Sequence, residues 1–240
     1  MRHHLAAVAL APVLLVQGLR VRRVTPRLPE PPGPRSGIAG SGSPLRLLIA
    51  GDSAAAGVGA ETQSQGLSGV VVEALRRDYR VSWSLIARTG LRTAGVIERL
   101  EAAAVEPFDV ALLSVGVNDV TAFTPVGQWL AQQARLVALL KSRFGVRHVL
   151  LTCLPPMHAF PALPQPLRWY LGARARTLND HLVAFAAADP ACEVVAPDLP
   201  PDPALMAADG FHPGPPAYLE WGCSAARIIR RRVPSGPTWA

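Results

Sequence analysis

Residues 50–59 read A-G-D-S-A-A-A-G-V-G, and the rest of the chain is organised around this stretch. A nearly all-apolar run over 45–50 ends abruptly at Gly51, and an acid, a hydroxyl and a patch of small residues follow. A short apolar run that ends at a glycine is typical of a buried strand. The pattern predicts that this strand delivers the side chain of Ser53 to the edge of a sheet. Capping of a following helix is the alternative role for this serine.

Four more short apolar runs follow, with helical patterns between them. The predicted strands are 45–50, 80–87, 109–115, 147–153 and 193–196, and the predicted helices are 67–77, 94–104, 125–144, 167–188 and 215–232. Short apolar strands that alternate with helices indicate a parallel sheet covered on both faces. The fold class is therefore α/β, and we expect a three-layer α/β/α sandwich with a central five-stranded parallel sheet. Ligands in such sheets bind at the carboxyl ends of the strands.

The composition divides the chain into four parts. Residues 1–23 form a hydrophobic and basic segment, 24–44 a Pro/Gly-rich linker, 45–233 the folded domain and 234–240 a tail. The apolar run over 5–19 is short for a membrane span, which needs roughly 20 residues. Arginines follow it at once, so we expect an uncleaved anchor or interfacial segment, with the domain on the cytoplasmic side. An export signal is the alternative.

The net charge of +7 belongs to the two ends of the chain. Residues 1–44 carry +5 and residues 227–232 carry +4, which leaves −2 for the body. A nucleic-acid groove needs basic charge clustered along the body, so no nucleic-acid partner is expected. Basic ends suit an anionic membrane surface, and solvated tails are the alternative. If the last helix runs back along the sheet, both basic ends would share the face opposite the strand ends that carry Ser53.

Reactive side chains cluster at predicted strand ends and before the last helix. The first group is Gly51-Asp52-Ser53, the second surrounds Gly90, and the later ones are 116–119, G-V-N-D, and 209–212, D-G-F-H. Together they offer a hydroxyl, a backbone N–H beside a glycine, an amide and an acid–imidazole pair. Hydrolysis of an ester uses these parts: a hydroxyl attacks, an imidazole takes its proton, a carboxylate orients the imidazole, and donors meet the oxyanion.

These four blocks, in this order, resemble the GDSL or SGNH hydrolases, which are lipases, esterases and thioesterases. The resemblance spans residues 45 to about 232 and implies the flavodoxin-like SGNH fold. It implies that Ser53 is the nucleophile, His212 the general base and Asp209 the acid that orients it. The implied oxyanion donors are the N–H groups of Ser53 and Gly90 and the side chain of Asn118.

The chain departs from the family pattern at two positions. Arg88 stands two residues before Gly90, where the family often has Asn, and Ala54 replaces the leucine of the G-D-S-L block. The G-x-S-x-G elbow of α/β-hydrolases fits less well, because residue 55 is Ala. No phosphate-binding loop is present, since Gly-Lys-Ser/Thr does not occur. The rival orienting acids for the histidine are Asp198 and Asp202.

The loop over 154–168 is rich in Pro and apolar residues and should border the site. Met157, Phe160 and Leu163 are the candidates for an acyl pocket, since ligand pockets are mostly apolar. A loop that packs only on its own domain is the alternative. No metal or cofactor is expected, because the histidines, acids and three distant cysteines lack metal spacing.

The expected substrates are esters or thioesters of fatty acids. A carbohydrate O-acetyl esterase and an acyltransferase are the alternatives within the same family. A membrane-tethered α/β binding module with an inert triad is the non-enzyme alternative.

Overall fold

The computed structural model describes residues 2–197 and 202–235, with side chains from residue 10 onward. Within these residues a single sheet holds six strands in the order β1-β3-β2-β4-β5-β6, and all neighbours are parallel except β1 and β3. The strands are β1 Ser36–Ala39, β2 Ser43–Gly51, β3 Tyr79–Ala87, β4 Val110–Ser114, β5 His148–Thr152 and β6 Cys192–Val195. The five predicted strands are all present and mutually parallel.

Strand β2 occupies the middle of the sheet because its residues are apolar on both faces. Leu47, Leu48 and Ile49 are fully buried, as a parallel strand covered by helices requires. β2 pairs with β3 on one side and β4 on the other, so that Gly51 lies level with Ala87 and Ser114. The segments that follow these three strands therefore leave the sheet at the same edge.

Strand β1 was not predicted, because it lies in the segment that was assigned to a linker. Ser36–Ala39 pairs antiparallel with β3, and Ile38 stands opposite Ser82. An edge strand that is exposed on both faces carries little apolar pattern, so composition alone suggested a loop. The predicted boundary at residue 45 is thus wrong as the start of the sheet, which begins at Ser36.

Helices cover both faces of the sheet, which confirms the α/β/α prediction. α2 and α7 pack on one face, and α3, α5 and α6 pack on the other. A short helix, α4, follows β4 and was not predicted. The helices are α1 Arg2–Val24, α2 Leu67–Leu75, α3 Thr93–Glu101, α4 Val117–Thr121, α5 Val126–Phe144, α6 Leu167–Ala187 and α7 Pro215–Arg232, with single 3-10 turns at Met157–Ala159 and Pro203–Leu205.

Helix α1 docks on the domain at the edge where the parallel strands end. Leu14 is buried, and the Gln17 amide donates to the carbonyl of Gln165 at 2.7 Å and accepts from the N–H of Leu167 at 3.1 Å. The last turns of α1 face Asn118, which follows β4. Among the described residues, none of the helices combines the length and apolarity that a bilayer crossing demands.

The two basic ends lie at opposite edges of the sheet, so the expectation that they share one face is wrong. Arg230 pairs with Asp78, just before β3 begins, at 2.7 Å. Arg231 and Arg232 both pair with Glu193 on β6. The arginines of α1 lie instead near the carboxyl edge, because Leu14 and Gln17 hold that helix against the segment before α6.

Candidate active site

The position of Ser53 follows from a sharp turn at the end of β2. Gly51 has φ +155°, and a Cβ there would lie 1.9 Å from the carbonyl oxygen of Ser114, so only glycine lets β2 and β4 approach this closely. The N–H of Asp52 donates to the same oxygen at 3.0 Å. Ser53 therefore leaves the sheet at the carboxyl edge, where 9% of its surface is exposed. It does not cap α2, whose N-cap is Gly66.

Asp209 and His212 are held together by the tight turn that precedes α7. The N–H of Ala207 donates to the carbonyl of His212 at 2.8 Å, which closes the turn. One carboxylate oxygen of Asp209 accepts the N–H groups of Phe211 and His212, each at 3.0 Å. The D-x-x-H spacing thus brings the acid and the imidazole together through contacts within the turn, which do not involve Ser53.

A continuous hydrogen-bonded chain joins Ser53, His212 and Asp209. The Ser53 Oγ lies 2.9 Å from His212 Nε2, and His212 Nδ1 lies 2.5 Å from the Oδ2 of Asp209. Burial acts to raise the pKa of Asp209, but the hydrogen bonds from the ring and N–H of His212 and from Phe211 lower it below its ordinary value. The carboxylate is therefore ionised when it faces the imidazole.

Two of the candidate oxyanion donors, Asn118 and Gly90, lie on neighbouring segments that are tied to each other. Asn118, on α4, donates its amide to the carbonyl of Leu91 at 2.9 Å, and an amide has a second N–H to offer. Gly90 precedes that carbonyl and has φ +84°. Glu30 holds this loop from the other side, because its carboxylate accepts the N–H and hydroxyl of Thr89 at 2.7 and 2.9 Å. Sequence reasoning missed Glu30, since it lies in the presumed linker.

A mostly apolar cavity of about 180 Å³ opens in front of Ser53 and His212. Phe160 lines this cavity together with Phe211, Trp221 and the prolines of the loop after β5. Leu163 lines a different cavity, beneath α1. Met157 lines neither cavity: it is fully buried at the start of a 3-10 turn that packs on α6, so its assignment to the acyl pocket is wrong.

The remaining candidates do not join the hydrogen-bonded chain. The carboxylate of Asp202 accepts the N–H of Ala204 at 2.9 Å and so caps a 3-10 turn, although it borders the cavity. Asp198 lies outside the described residues. Over 2–197 and 202–235, no group of three or more His, Cys, Asp or Glu side chains stands close enough together to hold a metal ion. The three cysteines are free.

Comparison with known families agrees with this geometry. The model of the GDSL-like lipase/acylhydrolase family matches residues 49–219, which is more than half of the chain. The chain belongs to the GDSL-like lipase/acylhydrolase family. It is 31% identical over 229 residues to a GDSL-like esterase of Mycobacterium tuberculosis, and the match covers 86% of this chain and 72% of that protein. Membership makes the protein a hydrolase that acts on esters.

Solved structures share the fold at low sequence identity. A lipolytic G-D-S-L family member from Veillonella parvula matches with a TM-score of 0.59 at 16% identity, covering 78% of this chain and 98% of that one. An acetylxylan esterase from Geobacillus stearothermophilus matches with a TM-score of 0.52 at 18% identity, covering 81% and 96%. These two likenesses establish the α/β/α fold for this member of the GDSL-like family.

Proposed function

We propose that this GDSL-like hydrolase cleaves its substrate through a covalent acyl-Ser53 intermediate. The observation that carries the proposal is the hydrogen-bonded chain from Ser53 through His212 to Asp209. The Ser53 oxygen attacks the acyl carbon while its proton passes to His212 Nε2, and the imidazolium then gives that proton to the leaving group. In the second step His212 takes a proton from water, which attacks the acyl group; the bond to Ser53 then breaks, the proton passes from His212 to the Ser53 oxygen, and the acid is released. Asp209 stabilises the imidazolium in both steps.

The oxyanion of each tetrahedral intermediate would be met by three donors. We assign them as the N–H groups of Ser53 and Gly90 and the free N–H of the Asn118 amide. The bond from Asn118 to Leu91 supports this assignment, because it fixes the amide beside the loop that carries Gly90. Losing one such donor typically costs about 2.7–4 kcal/mol of transition-state stabilisation.

The lining of the cavity supports a fatty-acyl ester or thioester as substrate. Phe160, Phe211 and Trp221 present apolar surface beside the reacting hydroxyl. A sugar needs many polar partners in its site, since unpaired hydroxyls lose free energy when they are buried. The apolar walls therefore favour a lipid ester as the substrate over a carbohydrate O-acetyl ester.

Labelling with a fluorophosphonate probe tests the nucleophile. We expect the wild type to be labelled at Ser53, and Ser53→Ala to lose both the label and about 10⁴-fold or more of its ester hydrolysis. Ser64→Ala is the matched control, because Ser64 is an exposed hydroxyl in the same loop. A folded wild type that takes up no label would identify an inert binding module. Product analysis with added alcohols separates hydrolysis from acyl transfer.

We also propose that helix α1 places the enzyme on an anionic membrane surface. Its outward side exposes apolar residues, and 65% of Val16 is exposed. Arg20 and Arg23 follow Val16 at positions i+4 and i+7, so they share its side of the helix, and both are exposed. An apolar face flanked by arginines is typical of helices that lie in the membrane interface. This arrangement would turn the active-site edge toward the membrane.

A further inference from the structure

A second cavity, of about 530 Å³, lies between α1 and the domain. One wall is formed by α1 through Leu14, Gly18 and Val21, and the opposite wall includes Leu163, Leu167 and Leu171. Residue 18 lines this cavity, and a Cβ built there meets no atom within 4 Å, so the position has room for a side chain. A cavity with leucine on both walls offers apolar surface to an apolar ligand.

The α1 wall is held in place by specific contacts. Leu14 packs into the core beneath it, and both ends of the Gln17 amide are bonded to the segment that starts α6. Glutamine in the middle of an apolar helix therefore has a defined partner. The cavity is consequently a preformed feature of the docked helix and not a gap beside a free segment.

The Phe211 ring lies between this cavity and the catalytic residues. The Phe211 ring lines both cavities, lies 5.4 Å from the ring of His212 and makes an edge contact with Phe160 at 5.2 Å, both measured between ring centroids. Asn118 lines the cavity beneath α1, whereas His212 lines only the one in front of Ser53. Phe211 thus lies between the two cavities: Ser53 and His212 line one, and the candidate oxyanion donor Asn118 lines the other.

The chemistry assigns the two spaces to different parts of the substrate. The leaving oxygen must lie within reach of His212 Nε2, since it takes its proton from that nitrogen. The leaving group therefore occupies the cavity that His212 lines. We infer that the larger cavity beneath α1 binds the acyl chain, and that α1 is the element that sets its length. This inference rests on the acyl-enzyme function proposed above and names the substrate class as long-chain acyl esters.

Filling the cavity from the α1 side tests the inference. Gly18→Leu places a side chain in the open space and improves helix propensity, so α1 should still form. On p-nitrophenyl esters graded from acetate to palmitate, we expect kcat/KM for the long chains to fall about tenfold or more. That is the loss expected when two methylene groups no longer enter an apolar site. Activity on the acetate ester should stay unchanged.

Two further variants make the outcome decisive. Ala122→Leu narrows the cavity from the opposite wall, and it should shorten the preferred chain without altering α1. Val24→Leu adds bulk at an exposed position of α1 that does not line the cavity, and it should leave the profile unchanged. An unaltered chain-length profile in both cavity variants would overturn the acyl-site inference while the esterase function stands. Absence of fluorophosphonate labelling in the wild type would overturn both.

Discussion

Asp52 is a buried acid that directly precedes the nucleophile, and folding changes the pKa of its carboxyl group. Burial raises its pKa to about 7, against the opposing effects of the Ala54 N–H and the nearby His212. In the unfolded chain the carboxyl loses its proton at about pH 3.9. Between about pH 4 and 7 the folded state therefore holds more protons than the unfolded state. The contribution of Asp52 to the free energy of unfolding must fall as pH rises through that window and level off above it.

Replacing Asp52 with asparagine removes this dependence. The substitution Asp52→Asn keeps an oxygen that can accept the N–H of Ala54 but leaves no proton to lose. We expect the stability of this variant relative to wild type to increase as the pH is raised from about 4 to 7, and then to stay constant. Urea unfolding at several pH values measures this. Asp180→Asn, at an exposed position of α6, is the control. Parallel stability curves for wild type and Asp52→Asn would contradict the prediction.

At the residue level, the sequence indicates a contact most directly where the spacing itself imposes it. Asp209 and His212 stand three residues apart in a tight turn, so their pairing is local and could be expected from the chain alone. The contact to Ser53 joins residues 159 positions apart, and only the arrangement of the strands creates it. Met157 shows the limit of composition, because an apolar loop residue can face either a cavity or the core, and sequence does not say which.

At the scale of elements, the carboxylate of Asp119 joins three helices. It accepts the N–H and the hydroxyl of Thr93 at 2.9 and 2.8 Å, which anchors the start of α3. Its other oxygen accepts the hydroxyl of Thr124 at 3.2 Å, just before α5. Asp119 itself lies on α4, beside Asn118. This buried hub therefore holds the helix that carries a candidate oxyanion donor.

Removing the Asp119 carboxylate should destabilise the fold and displace α4. Asp119→Ala leaves the buried N–H and hydroxyl of Thr93 without an acceptor, and a buried unsatisfied donor costs about 1–3 kcal/mol. We expect the free energy of unfolding to fall by about 2–4 kcal/mol, as measured in urea. Asp180→Ala, which removes an exposed carboxylate from α6, should change it by less than about 0.5 kcal/mol. Equal effects of the two substitutions would show that the hub is not structural.

The elements that sequence reasoning missed are those that their neighbours stabilise. The five parallel strands are apolar on both faces, so each can be recognised in the sequence as a short apolar run. β1 is a short exposed edge strand that exists because β3 offers it hydrogen bonds. α4 has five residues, too few to show a helical period, and the bonds from Thr93 on α3 to Asp119 anchor it. Both depend on partners that are distant in sequence.

At the scale of the whole molecule, the placement of α1 decides which way the active site faces. The N-terminal segment is basic in sequence, yet nothing in its composition indicates the edge of the sheet on which it docks. Leu14 and Gln17 settle that position through contacts with residues about 150 positions away. The arginines of α1 consequently lie near the catalytic edge, while Arg230 and Arg231 lie at the opposite edge, where Asp78 and Glu193 neutralise them.

This separation allows the two basic ends to be tested against each other on vesicles. Arg20→Gln with Arg23→Gln removes exposed charge beside the active site, and each arginine near an anionic surface contributes about 1 kcal/mol of binding. We expect this variant to lose roughly 30-fold in affinity for phosphatidylglycerol vesicles, while Arg230→Gln with Arg231→Gln binds like wild type. Co-sedimentation at low and high salt measures both.

Val13→Asp with Val16→Asp should abolish binding at either salt concentration, because it removes the apolar contact and adds charge that the membrane repels. If the Arg230 and Arg231 variant lost binding instead, the enzyme would meet the membrane with its active site turned away, and the acyl chain would have to reach the cavity beneath α1 through water. A long chain pays a large free-energy cost for that exposure, so the direction in which α1 faces bears directly on which esters the enzyme can take up.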